Sequence, residues 1–443
     1  MTHMPRLRRV IGLASLLLAA CSTEQLLEVE TPDQITTDQA NSAIGAAALR
    51  SGAIRYFYAF FNSNVENALL IPGILTDELI NARNGFDGID LREFDEASNP
   101  NPWTNFSNAR TNLGRARAAM REFVPESATR SWQIGQLHAM SGLILTVAAE
   151  IYCNGMVFSD LGANDEFVYD PKLYTNVEVW NLAIVQFDSA LAVLPAGDAN
   201  RNLARIGKAR ALVDLARYAD AATLVRAGGD GAGSAEVPSS YTFNAEFSAT
   251  GLINGAFNWI PASANMGIPN FREGGVGLDY FSDPRVGGRF FRNGQDGTTP
   301  VYVPLVPWVQ AATSSVPVAT GTEARLIEAE AQLAVGDPAW LTTLNALRAA
   351  SPMAAQLPPL VDPGTTAARQ DMLFHERAMW MYLTAHRLGD MRRLIRQYQR
   401  PTETVFPTGA YFKGGSYGTD VNLPLPFSER NNGVYTGCLD RNA

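Results

Sequence analysis

Two segments of the chain combine aromatic rings with amide, carboxylate and guanidinium groups at short spacing. They cover residues 81–106 and residues 254–310. An aromatic ring stacks on the apolar C–H face of a pyranose, while amides, carboxylates and arginines bond to its hydroxyl groups. Because loops often carry binding residues, these segments predict a site for a sugar-like ligand. The candidate ligand-binding residues are Asn84, Phe86, Asp87, Trp103, Trp259, Asn265, Arg272, Tyr280 and Trp308.

The aromatic candidates also have a structural interpretation. Trp103 opens a helical pattern, for which packing in the core is the main alternative to binding. For Trp259 and Trp308, the sequence supports ligand binding and packing in the core equally. The adjacent Phe290 and Phe291 are expected in the core.

No catalytic motif stands out. Residues 414–418 fit G-x-S-x-G, but that motif needs a strand before it, a helix after it and a later His, and no His follows His386. His375-Glu376 does not continue to H-E-x-x-H, because Met379 holds the second His position. A glycoside hydrolase needs two carboxylates across a cleft, and 44 acidic residues leave that alternative open without favouring a pair. We therefore expect a protein that is not an enzyme.

Composition excludes several other classes of protein. The chain has 443 residues, of which 46% are hydrophobic and 18% charged, which is typical of a globular protein with a large core. Its net charge of -9 argues against a nucleic-acid partner, which requires a basic surface. Three Cys and four dispersed His predict no metal site built from these residues, and no motif indicates a cofactor. A calcium site in the Asp- and Asn-rich loops stays open.

The amino terminus is typical of an exported, lipid-anchored protein. Three arginines precede an apolar stretch at residues 10–20, which is too short to span a bilayer. The sequence Leu18-Ala19-Ala20-Cys21 resembles a bacterial lipobox, in which the peptidase cuts before the Cys and the thiol carries the lipid. We therefore predict a signal peptide at residues 1–20 and lipidation of Cys21. Ser22 weakly favours the outer membrane over the inner membrane.

The two other cysteines, Cys153 and Cys438, would then lie outside the cytoplasm, where disulfides persist. A disulfide between them would dock the carboxyl terminus beside the helix that ends near Cys153. Two buried free thiols are the alternative.

Apolar residues at a spacing near 3.6 predict that most of the chain is helical. Thr322 is a candidate N-cap for a helix that Gly336 ends, and Asp337-Pro338 is a typical start for the next helix. Residues 228–310 lack periodicity and form a long irregular segment. The predicted helices are 37–62, 104–121, 130–152, 176–193, 200–216, 218–227, 322–335, 338–350, 367–384 and 387–398.

Some of these helices come in pairs, at residues 200–227 and 323–348, with small residues where two helices must approach. This spacing resembles degenerate tetratricopeptide hairpins, and a generic helical bundle is the alternative. We expect an all-α fold of such hairpins with long irregular loop insertions on one face. Residues 21–443 are expected to form a single domain, with a helical-repeat part at 21–230 and a part at 231–443 that joins the irregular region to the C-terminal helices.

Residues 371–393, DMLFHERAMWMYLTAHRLGDMRR, resemble the carboxy-terminal signature of the SusD/RagB family. The matching positions are Glu376-Arg377, His386-Arg387, Asp390 and Arg392-Arg393. Further pieces follow in the family's order: Thr76-Asp77-Glu78 with the later Trp103, Ser282-Asp283-Pro284-Arg285, the hairpin at 323–348, and Asn422-Leu423-Pro424-Leu425-Pro426 with Glu429, Asn431 and Asn432. Trp380 and Thr384 stand where the family often has Glu, so the chain resembles a divergent member whose acidic network is built differently.

The resemblance implies a cell-surface lipoprotein of the outer membrane that acts as a lid on a SusC-like TonB-dependent barrel. Such a protein captures an oligosaccharide, or in some members a peptide, and delivers it to the barrel. Glu376, Arg377, Arg387 and Asp390 would then form a structural ion network. Two other classes remain as alternatives: a surface-tethered scaffold that binds peptides or proteins with its helical repeats, and a glycoside hydrolase.

Overall fold

The computed structural model describes residues 41–161, 167–226, 237–269 and 278–443. The predicted signal peptide and Cys21 lie outside these ranges. All ten predicted helices are present, with ends that differ from the predicted ones by a few residues. They are α1 (Ala43–Asn62), α2 (Trp103–Phe123), α3 (Ala128–Ile151), α4 (Asn176–Val193), α5 (Ala199–Asp214), α6 (Tyr218–Val225), α7 (Gly321–Ala334), α8 (Ala339–Ala350), α9 (Thr366–Trp380) and α10 (Arg387–Arg396). Short helices also form at Leu70–Leu75, Asp87–Asp90, Gly255–Phe257 and Thr402–Val405.

Helices that are neighbours in sequence pack as hairpins. The pairs α1/α2, α3/α4, α5/α6 and α7/α8 are in contact, and α2/α3, α4/α5 and α6/α7 join each pair to the next. Close approach requires glycine at two positions: a Cβ on Gly142 of α3 or Gly207 of α5 would lie within 2.7 Å of the Phe187 ring of α4. The fold is therefore the predicted stack of tetratricopeptide-like hairpins.

Helix α3 is the central helix of this stack. By length and composition it is the one helix in the described ranges that could cross a membrane, but 94% of its most apolar stretch is buried inside the protein. Burial on nearly all sides is typical of a core helix. Its apolar residues are therefore explained by packing against α2, α4 and α5.

The turns around α7 follow the predicted residues with one correction. The N-cap is Thr320 and not Thr322: its side chain accepts a hydrogen bond from the Glu323 N–H at 3.0 Å. Gly336, just past the end of α7, has a φ of 74°, a conformation that favours glycine. Asp337 then accepts a hydrogen bond from the Ala339 N–H at 2.9 Å, at the start of α8.

The irregular region contains strands that the sequence did not predict. Within the described residues four antiparallel ribbons form, each of two strands, and two of them join segments far apart in the chain. They are β1 (Ile80–Asn81) with β5 (Met266–Gly267), β2 (Ser159–Leu161) with β3 (Phe167–Tyr169), β4 (Thr242–Ala245) with β8 (Val316–Thr320), and β6 (Gly288–Asn293) with β7 (Pro300–Pro304). Phe290 and Phe291 lie on β6 and are 56% and 38% exposed, so the expectation that they belong to the core is wrong.

A buried network of charged side chains joins the helices of the second half to α3 and α5. Asp390 accepts two hydrogen bonds from Arg377, at 2.8 and 2.9 Å, and a third from Arg393. Arg393 and Arg377 also face Glu330 of α7. These arginines hold the pKa of Asp390 below its usual range, although burial opposes them.

The same network reaches the amino-terminal half. Arg210 of α5 pairs with Glu150 of α3 and contacts His386, which lies 3.1 Å from Glu323. Arg392 donates hydrogen bonds to the carbonyls of Ala149, Glu150 and Tyr152, at and just past the end of α3. The Asn176 amide also donates to the carbonyls of Ala149 and Tyr152. The signature positions are therefore structural, as expected.

Cys153 and Cys438 form a disulfide with a Cα–Cα distance of 5.8 Å. Beside it, the Leu439 N–H donates to the Asn154 carbonyl at 2.8 Å, and the Asn154 amide donates to Asp440. The carboxyl-terminal residues are thereby held against the chain that leaves α3.

Substituting Asp390 by Ala should lower the free energy of unfolding by about 3–5 kcal/mol, because Arg377 and Arg393 would lose their shared buried carboxylate. Asp362→Ala is a matched control, since Asp362 also accepts two hydrogen bonds from one arginine, Arg369, but is exposed. Its effect should stay below about 1 kcal/mol. Urea unfolding measures both values, and equal losses in the two variants would contradict a structural role for the network.

Reducing the disulfide should lower the free energy of unfolding by about 2–5 kcal/mol, because the intact disulfide closes a long loop in the unfolded chain. Urea unfolding with and without reductant measures the change. The variant Cys153→Ala/Cys438→Ala should resemble the reduced protein and show no response to reductant. Equal stability of the oxidised and reduced wild-type protein would argue against the pairing.

Candidate functional site

Three separate segments enclose a cavity of about 430 Å³, here called the loop cleft. The first segment is the turn between β1 and the short helix Asp87–Asp90. The second is the β6–β7 turn, and the third is the loop that contains Phe412 and Lys413. The lining residues are Asn84, Asp87, Asp296, Thr298, Thr299, Pro300, Phe412 and Lys413.

The buried Asn81 shapes the first segment. Its side chain accepts from the Arg83 N–H at 3.0 Å and donates to the Arg83 carbonyl at 2.7 Å and to Asp87 at 3.0 Å. Such bonds from an Asn side chain to nearby backbone stabilise a tight turn. Gly85 completes this turn with a φ of 92°, which favours glycine. Asn84 and Asp87 therefore reach the cleft from a fixed backbone.

Two carboxylates and one ammonium group meet in the cleft. Lys413 Nζ lies 3.1 Å from Asp87 Oδ1 and 3.1 Å from Asp296 Oδ2. Partial burial opposes ionisation of Asp296, but hydrogen bonds from Thr299 and Thr298 and the contact with Lys413 lower its pKa to about 2. Asp296 is therefore ionised at neutral pH, and it shares the Lys413 ammonium group with Asp87.

Phe86 and Trp259 form an aromatic shelf beside the cleft. Their ring centroids are 5.5 Å apart, and the Arg83 guanidinium lies 5.1 Å from the centre of the first ring and 5.0 Å from that of the second. Trp259 lies in the π-helical turn Asn258–Ala262 and is half-buried, whereas Phe86 is buried beneath it. Cation–π contacts from one arginine to both rings hold the shelf in place.

The arrangement offers groups that can bind a polar ring. A half-exposed indole, an amide, hydroxyl groups and paired charges can stack on and bond to a polar ring. Glycoside hydrolysis needs one carboxyl group that stays protonated, with a raised pKa, whereas that of Asp296 is lowered. The G-x-S-x-G match at 414–418 lies in an exposed loop with no strand before it and no helix after it.

Asn84 and Asp87 line the loop cleft, and Phe86, which lies between them in the sequence, packs against Trp259. Trp103, Asn265 and Tyr280 are instead buried, at 2%, 5% and 1% exposure, and are corrected here to packing residues. Trp103 packs on Phe106 and Tyr152, Tyr280 packs on Tyr382, and Asn265 bonds to Ser263. Trp308 lines a different cavity, and Arg272 lies outside the described residues.

Sequence reasoning missed Asp296, Thr298, Phe412 and Lys413 as binding residues. Asp296 stands in a turn between two glycines, and Phe412-Lys413 precedes the pair Gly414-Gly415. Both are signals for exposed turns, where binding residues often occur. Nothing in the sequence, however, indicates that these two turns meet the 81–87 segment. Within the described ranges, no group of three or more His, Cys, Asp or Glu residues is arranged to hold a metal ion.

No protein-family model matches the chain, and no curated protein matches it at a significant level. Solved structures do match it. A SusD superfamily protein from Bacteroides thetaiotaomicron superposes with a TM-score of 0.67 at 12% identity, over 90% of this chain and 100% of the other. A SusD superfamily protein from Parabacteroides distasonis gives 0.65 at 14% identity, over 92% and 100% of the two chains.

A third match is a SusD-like carbohydrate-binding protein from Bacteroides fragilis, with a TM-score of 0.64 at 16% identity, over 88% of this chain and 98% of the other. Identities this low establish the fold and do not transfer binding residues. The similarity covers 88–92% of this chain and 98–100% of the others. The chain therefore has the fold of SusD-like proteins.

Proposed function

We propose that this protein is a divergent member of the SusD/RagB family that binds an oligosaccharide in the loop cleft without hydrolysing it. The observation that carries the proposal is the aromatic shelf of Phe86 and Trp259 beside paired polar groups, on a SusD-like fold. The carbohydrate-binding neighbour from Bacteroides fragilis supports this ligand class.

The charges of the cleft favour a neutral oligosaccharide. Asp87 and Asp296 share Lys413, and Arg83 is stacked on the shelf, so that positive and negative charges balance. An anionic sugar would have to give up hydration without gaining an unpaired cation. The hydroxyl groups of a neutral sugar can instead donate to the carboxylates and accept from the ammonium group.

Attachment and delivery belong to the same proposal. The lipobox at Leu18-Ala19-Ala20-Cys21 supports anchoring through Cys21 to the outer membrane, with the folded part at the cell surface. The resemblance to the SusD/RagB family supports a SusC-like TonB-dependent barrel as the partner that receives the ligand. Residues 21–443 would act as one domain, tethered through residues that precede α1.

Substituting Trp259 by Ala should weaken oligosaccharide binding about tenfold, because loss of a stacking ring removes on the order of 1 kcal/mol or more. Calorimetry with neutral oligosaccharides that bind the wild-type protein measures the change. Phe427→Ala is a matched control, since this exposed aromatic also carries an arginine over its ring but belongs neither to the shelf of Phe86 and Trp259 nor to the cleft lining. Its affinity should equal that of the wild-type protein.

Three results would contradict this assignment. Unchanged affinity in a folded Trp259→Ala variant would remove the shelf from the site. Binding of peptides, with no binding of any oligosaccharide, would favour the helical-repeat scaffold. Release of shortened sugars that stops in an Asp87→Asn variant would favour a hydrolase instead.

Extraction of the lipidated protein from its native membrane should recover a TonB-dependent barrel in near-equal amount. Mass spectrometry of the co-purified material identifies the partner, and a Cys21→Ser variant is the control for anchoring. Absence of a barrel, with the protein intact and acylated, would mean that the similarity to SusD-like proteins is limited to the fold.

A further inference from the structure

A second cavity, of about 390 Å³, shares no lining residue with the loop cleft. It lies between the β4–β8 ribbon, the short turn Pro307–Val309 and the C-terminal end of α9, and is here called the tryptophan cavity. Its volume is within the range of small-molecule sites. The lining residues are Ser239, Tyr241, Thr242, Asn244, Arg285, Pro307, Trp308, Pro317, Thr320, Thr322, Met353, Met379, Trp380, Met381 and Thr384.

The walls of this cavity are mostly apolar. Two half-buried indoles, Trp308 and Trp380, are joined by Met353, Met379 and Met381. Thioether groups are polarisable and make favourable contacts with aromatic rings. A flat apolar ring is therefore the shape and chemistry that these walls would hold best.

The cavity has no charge left to offer a ligand. Arg285 is the one charged residue in the lining. Its guanidinium already donates hydrogen bonds to Asp283, at 2.7 and 2.9 Å, and to Glu376, at 2.8 Å. Glu376 is also bound by Arg348, so that two arginines balance two carboxylates. A charged ligand would lose its hydration here without gaining a counter-ion.

One part of the lining consists of polar side chains that have no hydrogen-bond partner among the described residues. Within the described residues, the side chains of Ser239, Thr242, Asn244 and Thr322 make no hydrogen bond, and they come from the start of β4 and the start of α7. Thr320, by contrast, is used as the N-cap of α7. The free hydroxyl and amide groups can pair with a carbonyl, amide or hydroxyl group at the edge of a bound ring.

The wall formed by residues 379–384 is held in one conformation. Leu383 and Ala385 have φ values of 52° and 64°, which non-glycine residues rarely adopt. The Leu383 N–H donates to Glu78 at 2.8 Å, and the Thr384 hydroxyl donates to the Met381 carbonyl. These hydrogen bonds hold the strained turn in place, so that the cavity is open before a ligand arrives.

We infer that the tryptophan cavity binds a neutral, flat, mainly apolar molecule of one or two fused rings, with an amide, carbonyl or hydroxyl group at its edge. The ring lies against Trp308, Trp380 and the methionines, and the polar group faces Asn244 and the neighbouring hydroxyls. This site is independent of the oligosaccharide proposed for the loop cleft.

Naphthamide, naphthoate and naphthamidinium have nearly the same shape and differ in charge, so they test this inference directly. Calorimetry and ligand-observed NMR on the folded protein should give one naphthamide site per chain, with an affinity at least about tenfold above that of either charged probe. Asn244→Leu should weaken naphthamide binding about five- to tenfold. Thr322→Trp should abolish it by filling the cavity, while Thr342→Trp, on the exposed side of α8, should leave it unchanged.

Circular dichroism and urea unfolding establish that each variant is folded. Absence of naphthamide binding at millimolar concentration, equal binding of the three probes, or undiminished binding to folded Thr322→Trp would overturn the inference. Tighter binding of a methyl glycoside in this cavity would overturn the ligand class. Trp259→Ala should not change naphthamide affinity, so failure here is distinguishable from failure of the loop cleft.

Discussion

Burying a set of charged side chains between α3, α5, α7, α9 and α10 constrains the whole molecule. A buried charge without a partner costs several kcal/mol, so these helices can pack only in a register that pairs Asp390, Glu330 and Glu150 with arginines. Arg392 adds a second constraint by binding the final carbonyls of α3. The network therefore determines where α10 begins, and with it the strained turn that precedes α10.

That turn connects the network to the loop cleft. Leu383 donates to Glu78, and burial raises the pKa of this carboxyl group to about 8. Glu78 lies two residues before the start of β1, which leads into the turn that carries Asn84 and Asp87. Next to Glu78, Asp77 forms a buried ion pair with Arg92. The third segment of the cleft attaches beside this pair, since the Gly418 N–H donates to the Leu91 carbonyl. The loop segments are thus held by a buried hydrogen bond and a buried ion pair in the turns that adjoin them.

The sequence predicts the helices well because their signals are local. Apolar spacing, N-caps and terminal glycines lie within a few residues of the helix that they define. The ribbons depend on distant partners: Ile80 pairs with Gly267, and Thr242 pairs with Thr320. No local pattern specifies such pairings, which is why a region rich in Gly, Asn and Pro is correctly identified as irregular but its strands are missed.

The candidate site shows the same contrast between local signals and contacts of distant segments. Residue type identifies Trp259 as suitable for a shelf, but it does so equally for Trp103 and Tyr280, which the fold buries. Whether an aromatic residue in a loop reaches the surface depends on what packs over it. The resemblance to the SusD/RagB family adds the order of motifs along the chain, and from that order the fold follows; it does not specify that Lys413 meets Asp87 and Asp296.

The tryptophan cavity lacks the charges of the loop cleft partly because of Trp380 and Thr384. Both residues stand where the family often has Glu. Trp380 donates to Glu376 at 3.2 Å and lies under Arg285, while Thr384 contacts His386. Acidic residues at both positions would need further cations in a network that is already balanced. With neutral side chains there, these positions become part of an apolar wall, and the tryptophan cavity can exclude ions. The loop cleft keeps paired charges that a hydrated sugar can bond to. The two cavities therefore differ in the charged groups that line them.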